Sequence, residues 1–290
     1  ERFIIKLLKW DVTTIKDDYK MKVVLITGAS SGIGFETAKL LAQKGYKVYG
    51  AARRVEAMKV LEKFGVTPIK LDVTNNDSIH NTIDTLIEKE HRIDVLINNA
   101  GYGSFGAIED VEEEEAKRQF EVNLFAVAKL IKLVLPYMRQ QRYGKIINIS
   151  SMSGKIPAYL GGWYSATKYA LEGFSGSLRL EVSDFGIDVV LIEPGSVKTD
   201  WALISADNLE RSARGGAYEV TATKIAQGLR KRYEKDMMSD PAVIAKYIVK
   251  SIESKKSKAH YLVGFAAKPL VFLHAVLPTK IFDVLLKKFS

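Results

Sequence analysis

Lys22-Val23-Val24-Leu25-Ile26-Thr27-Gly28-Ala29-Ser30-Ser31-Gly32-Ile33-Gly34, followed by Phe35-Glu36-Thr37-Ala38-Lys39-Leu40-Leu41-Ala42, carries three signals in order. Residues 22–26 are a short apolar, β-branched run that predicts a buried strand. Residues 35–42 repeat their apolar positions with a helical period. The glycine-rich turn between them gives strand, turn and helix, the context that a dinucleotide-binding fingerprint requires. Gly28 permits the tight turn, Gly32 lets backbone N–H groups approach a pyrophosphate, and Gly34 lets the helix sit close on the sheet. A plain βα turn has the same outline, so the segment alone leaves both readings open.

Outward from this segment, strands and helices alternate. Apolar runs predict strands at 22–27, 47–51, 67–71, 94–97, 144–150 and 188–193, with a weaker one near 260–263. Helical periodicity falls near 32–44, 56–64, 76–90, 113–141, 163–184 and 241–254, and again in the C-terminal tail. Apolar strands separated by helices imply a parallel sheet covered on both faces, with right-handed crossovers. The expectation is an α/β chain of the Rossmann type: a single domain with a doubly wound parallel sheet of about seven strands. No Pro/Gly/Ser-rich linker divides residues 21–290, and there is no internal repeat. Residues 196–238 are polar, charged and glycine-containing, a profile that suits either a mobile flap over a site or a variable surface loop.

Tyr164 and Lys168 stand four residues apart, a spacing that puts both on one helix face. An ammonium beside a phenol favours the phenolate and eases proton exchange with a carbonyl or alcohol near neutral pH. Alone, the pair also fits a packed aromatic beside a solvated lysine.

The glycines are spaced Gly-x3-Gly-x-Gly behind Thr27, and this segment resembles the short-chain dehydrogenase/reductase family. The resemblance continues in order through Leu71-Asp72-Val73, Asn98-Asn99-Ala100-Gly101, Asn123, Ser151, the Tyr164/Lys168 pair and Pro194-Gly195. Residues 201–290 are less diagnostic; the length and tail resemble the 17β-hydroxysteroid and retinol dehydrogenase-like branch. The resemblance implies that Tyr164 is the general acid in reduction and the general base in oxidation. It gives Lys168 two tasks, lowering the Tyr164 pKa and holding the nicotinamide ribose. Ser151, 13 residues before Tyr164, would hold the substrate oxygen, and Asn123 would anchor a proton-relaying water. Thr27, Gly28, Ser30, Ser31, Gly32, Ile33 and Gly34 would carry the pyrophosphate turn. Asp72 and Val73 would meet the adenine, although Asp72 also reads as a cap for the helix starting near Asn75. Asn99, Ala100 and Gly101 would wall the adenosine while Asn98 ties the sheet. Pro194, Gly195, Val197 and Thr199 would run past the nicotinamide.

Coenzyme choice is read from the end of the second strand. Arg53 follows Gly34 by 19 residues, close to the ~20 at which an NAD site places an acid for the ribose 2′-OH. No acid stands there. A guanidinium instead offers a planar fork to a 2′-phosphate, so Arg53, with Arg54, favours NADP(H) over NAD(H).

Apolar residues make up 47% and charged residues 27% of the 290, ordinary for a globular chain. No segment reaches the ~20 consecutive apolar residues of a membrane span. With no cysteine there is no disulfide, thiolate zinc site or cysteine nucleophile; this suits a reducing interior, and a cytoplasmic location is the expectation. His80, His91, His260 and His274 show no ligand spacing, so no metal is expected. The net charge of +9 is spread along the chain, with no nucleic-acid motif. Residues 1–20 read as an N-terminal extension or expression remnant, with Met21 as the natural start; Phe3–Trp10 has the pattern of a short amphipathic helix.

Around the expected substrate, Met152, Tyr159, Trp163 and Trp201 are apolar or aromatic, as is much of the tail from about 264 to 290. These favour a lipid-, steroid- or retinoid-like carbonyl or alcohol. The tail stripe reads first as packing on the sheet, with peripheral membrane contact as a minor alternative. Apolar residues on 113–141 and 163–184 exceed what one core face needs, and family members pair through these helices, implying a homodimer or homotetramer. The competing functional class is a non-catalytic dinucleotide-binding sensor or scaffold of the same fold. The retention of Ser151, Tyr164, Lys168 and Asn123 argues against it.

Overall fold

Val23 and Leu25 point to one side of the first strand and Val24 and Ile26 to the other, yet all four are buried. A strand covered on both faces is apolar at every position, which explains the unbroken run in the sequence. The structure, a computed structural model, describes residues 22–289; the expectations for residues 1–20 lie outside them. Seven parallel strands, β1 (Val23–Thr27), β2 (Lys47–Ala52), β3 (Val66–Lys70), β4 (Val95–Asn98), β5 (Gly144–Ile149), β6 (Ile187–Pro194) and β7 (His260–Val263), lie in the order β3-β2-β1-β4-β5-β6-β7. The expected Rossmann-type sheet is therefore present.

The helices in chain order are α1 (Gly32–Gln43), α2 (Lys59–Glu62), α3 (Asn76–Glu90), α4 (Glu113–Phe120), α5 (Ala126–Gln141) and α6 (Gly162–Val182). They continue with α7 (Asp200–Ala213), α8 (Glu219–Glu234), α9 (Pro241–Glu253), α10 (Ala267–Val276) and α11 (Thr279–Phe289). One core joins Val24 and Ile26 to Ala38 and Leu41 of α1 and to Ile244 and Ile248 of α9. The other joins Val23 and Leu25 to Ile83 of α3, Ile131 of α5 and Leu171 of α6. The strand order reverses between β1 and β4, which opens the crevice at the carboxyl ends where ligands bind in such sheets.

Three sequence readings are corrected. The long helix expected over 113–141 is interrupted by a π-helical turn at Glu121–Phe125; such bulges shift side chains off the α period and recur at functional sites. The region 196–238 is mostly helical, α7 and α8 packing through Ala206, Leu209, Ala222 and Ile225. Alanine and serine carry much of that inward stripe, so its amphipathic pattern was faint in the sequence. Finally, Val127, Ile131, Leu171 and Leu178, expected as surplus for an oligomer face, are buried in the core.

Candidate active site

The turn after β1 is held from within the chain. The Thr27 hydroxyl accepts from the backbone N–H groups of Asn99 and Ala100 at 3.0 and 2.9 Å. The Asn99 side-chain amide donates to the carbonyls of Thr27 and Gly28 at 3.0 and 3.2 Å. Asn99 thus braces the glycine turn rather than only forming a wall. Gly28 and Gly32 have φ of +69° and +57°, the left-handed region that a side chain disfavours. A Cβ on Gly34 would collide with the Gly28 carbonyl. Ser31 begins α1 with no side-chain hydrogen bond across the cap, so the first-turn N–H groups have no side-chain acceptor there. That donor set at a helix N-terminus suits a phosphate.

Ser151 lies just past β5, and Tyr164 and Lys168 lie on the first two turns of α6; all three are buried. The Lys168 ammonium donates to the Ile149 carbonyl at 2.9 Å and stands 5.8 Å from the Tyr164 ring centre. Asn123, on the π turn, donates to the Tyr102 carbonyl at 2.9 Å and to the Thr167 hydroxyl at 3.1 Å. Its side-chain oxygen accepts from the Tyr102 N–H at 3.2 Å. Asn123 therefore clamps the strand-loop after Asn98-Asn99 against α6. Asn98 ties the sheet as expected, donating to Asn148 at 2.8 Å, which in turn donates to Ser175.

The expected lowering of the Tyr164 pKa is not what this environment does. Burial pushes the phenol up to about 12, and the Ser151 hydroxyl bond recovers only part of that rise. Burial also pulls Lys168 down to about 8, against the attraction of Glu172. Desolvation is the leading cause of both shifts. Both groups are consequently proton donors at neutral pH.

Arg53 and Arg54 are exposed beyond β2. Asp72 sits below its usual pKa because the Thr74 N–H and hydroxyl donate to it, helped by the charges of Arg53 and Arg118. The helix cap expected of Asp72 belongs instead to Asn75, which accepts from the Ser78 N–H at 2.8 Å. A cleft of about 710 Å³ opens here, lined by Arg53, Asp72, Asn75 and Ser78 and not by Tyr164. Beyond β6, the backbone of Ser196 and Val197 bridges to Phe265 and Ser239. Thr199 begins α7 with its methyl group against Gly32, so the two expected coenzyme segments meet.

Tyr164 is enclosed by Trp201, with ring centres 5.2 Å apart, and by Phe105 at 5.6 Å. Phe105 meets Trp201 edge-on at 5.6 Å. Phe105 was missed from the sequence; the glycine–aromatic alternation Gly101-Tyr102-Gly103-Ser104-Phe105-Gly106 directly after the Asn-Asn-Ala-Gly motif was the available signal. Tyr159 packs beside this wall. Trp163 lies on the outer side of the helix start and donates to the Ile108 carbonyl at 3.3 Å. Met152 is half-buried at the turn after Ser151.

Behind Ser151 and Lys168 lies a charge cluster that the sequence did not reveal. Lys155 is 2.8 Å from Glu172 and 3.4 Å from Glu193, and His260 Nδ1 is 2.6 Å from Glu193. Burial raises Glu172, and Glu193 beside it adds to the rise against the Lys155 ammonium. Donor atoms of Glu172, Glu193 and His260 fall within 4.8 Å of one another, but the Lys155 ammonium already supplies their cation.

A glycine turn after the first strand of a parallel sheet, with Ser151, Tyr164 and Lys168 buried beside the end of β5, is the arrangement of a dinucleotide-dependent oxidoreductase. The chain belongs to the short-chain dehydrogenase family, whose model matches residues 22–208. It is 39% identical over 266 residues, 91% of this chain and 96% of the relative, to a probable short-chain type dehydrogenase/reductase, VdlC, of Helicobacter pylori. It is 43% identical over 210 residues, 72% of this chain and 75% of the relative, to a 3-ketodihydrosphingosine reductase of Bacteroides thetaiotaomicron. A metagenomic short-chain oxidoreductase solved with NADP superposes with a TM-score of 0.67 at 27% identity, covering 83% of this chain and 96% of that one. Solved structures of this fold hold NADP in some cases and NAD in others.

Proposed function

We propose that this protein is an NADP(H)-dependent carbonyl reductase or alcohol dehydrogenase acting on an apolar substrate of lipid-like character. The observation that carries the reading is the burial of Tyr164 between Ser151, Phe105 and Trp201. A proton donor is thereby aimed into an aromatic, water-poor wall. Lys168 would hold the nicotinamide ribose, and the α1 N-terminus the pyrophosphate. Arg53 and Arg54 would hold a 2′-phosphate, and Val197 and Thr199 the carboxamide side. When bound, the reduced coenzyme supplies the hydride that converts a carbonyl to an alcohol.

The chain's own residues handle the oxygen. Ser151 positions it through its hydroxyl, and donors already in place stabilise the negative charge that develops there. Tyr164 gives up its proton to that oxygen as the carbon is reduced, and a proton from Lys168 or solvent restores the phenol. At neutral pH the Tyr164 phenol carries the proton that reduction of a carbonyl consumes. Asn123 keeps the Tyr102 loop and α6 at fixed separation, so that Tyr164 and Ser151 keep one geometry.

The apolar wall of Phe105, Tyr159 and Trp201 supports a substrate with a long hydrocarbon portion, as does the likeness to a reductase named for a sphingoid ketone. Exposed Phe125, Tyr169 and Leu180 on the π turn and α6 support pairing of two or more copies. The test is a series of methyl ketones of increasing chain length, assayed with NADPH and NADH by nicotinamide absorbance. kcat/KM is expected to rise with chain length and to be higher with NADPH; a flat series removes the apolar-substrate reading. Bound coenzyme without turnover of any carbonyl or alcohol would favour the sensor alternative.

A further inference from the structure

The last two helices present apolar side chains to solvent in a regular pattern. On α10 and its approach, Phe265, Phe272 and Val276 are 47%, 65% and 55% exposed, and Lys268 lies on the same stripe at helical spacing. On α11, Ile281 and Val284 are 52% and 65% exposed while Phe282 turns inward, meeting His274 edge-on at 4.8 Å. An isolated exposed side chain needs no explanation, but a run of large ones on two adjoining helices does.

The charge around this face selects its occupant. Residues 264–290 contain four lysines and one aspartate, a balance of +3. A second copy would set lysines against lysines. The chain's own Phe3–Trp10 segment brings Lys6 and Lys9 and no acid, so it does not complement the face either. An anionic phospholipid surface supplies both negative charge and an apolar interior. None of the helices among the described residues is long and apolar enough to cross a membrane.

The position of the face gives it a use. At one end, the Phe265 carbonyl packs on Gly195, in the segment expected to pass the nicotinamide. At the other end, the Lys287 ammonium lies over the Tyr159 ring at 5.6 Å, on the substrate wall. We propose that α10 and α11 dock the enzyme reversibly on an anionic lipid bilayer, with the substrate wall at Tyr159 facing that surface. Only the identity of what passes across rests on the apolar-substrate reading; the docking stands on the exposed face.

The test is co-sedimentation of the full chain with vesicles of equal parts phosphatidylglycerol and phosphatidylcholine, and with vesicles of phosphatidylcholine alone. Binding is expected to the anionic vesicles, falling as salt rises. The double substitution Phe272→Glu/Val284→Glu is expected to reduce the partition by roughly tenfold or more. Reduction of a short water-soluble ketone in the absence of vesicles should be unchanged. Ile5→Glu/Leu8→Glu should leave the partition intact. The proposal is overturned if the unaltered chain stays in the supernatant, or if the tail substitutions leave its partition unchanged. It is equally overturned if Ile5→Glu/Leu8→Glu abolishes binding, or if the tail substitutions convert an oligomer to a smaller species instead. Vesicle partition is read without turnover, so failure of the carbonyl chemistry and failure of docking are separable.

Discussion

The Lys168 ammonium donates to the carbonyl of Ile149 at 2.9 Å, tying α6 to the end of β5 at the reacting centre. Burial brings its pKa down to about 8. The charge is therefore present below pH 8 and lost as the pH rises through it. NADPH affinity, measured by fluorescence titration, should be level from pH 6 to 7.5 and weaken above pH 8, while Lys168→Arg extends the plateau upward. A flat profile to pH 9.5 contradicts this role. Stability moves the other way: an unfolded lysine keeps its proton to ~10.4, so between pH 8 and 10 the unfolded state binds more protons. This group's contribution to stability should then rise with pH.

Tyr164→Phe removes the proton donor while keeping the ring between Phe105 and Trp201. Turnover should fall by ~10²–10⁴-fold, the usual contribution of general acid–base catalysis, with coenzyme affinity and Tm little changed. Full activity in this variant would end the proposed chemistry.

Arg53→Ala removes an exposed fork near Asp72. A charge-assisted hydrogen bond is worth about 1.5–3 kcal/mol, so the KM for NADPH should rise roughly 10- to 100-fold and that for NADH little. Equal losses for both would remove the basis for NADP(H).

Lys155 separates two carboxylates, Glu172 and Glu193, whose side chains are 9% and 3% exposed. Lys155→Met leaves both without their shared cation; breaking a fully buried pair costs about 3–5 kcal/mol, and with the Lys155 side chain 33% exposed the loss should be smaller. Glu172 already sits above its usual pKa, so the folded state holds a proton that the unfolded state releases. Stability from this group falls as pH rises through that window. Urea unfolding should show a larger deficit for Lys155→Met at pH 8 than at pH 5. An equal deficit at both would show that the cluster's charge is not what Lys155 balances.

Gly34→Ala tests the turn. The added methyl meets the Gly28 carbonyl and the Asn99 amide, both well inside contact distance. Overpacking of this kind costs about 1–3 kcal/mol, and the displaced turn should weaken coenzyme binding along with Tm. Unchanged binding would mean that the turn accommodates a side chain without moving.

Much of this protein could be read along the chain because the decisive contacts are local. A strand buried on both faces must be apolar throughout, as at Val23–Ile26, and a turn with positive φ marks itself by glycine, as at Gly28 and Gly32. Tyr164 and Lys168 are one helical turn apart, so their shared face follows from spacing alone. Other features depend on residues distant in sequence. Phe105 meets Trp201 edge-on, Lys155 and His260 both meet Glu193 of β6, and α11 returns to Tyr159 through Lys287. The direction of the Tyr164 pKa shift was also a tertiary matter, since desolvation is set by everything that surrounds a group and not by its neighbour in the helix. The sequence by itself determined the sheet, the glycine turn and the reactive pair, because backbone geometry and periodicity act over a few residues. Only the tertiary structure decided the aromatic wall, the buried charge cluster and the exposed tail face, because burial and charge act through space.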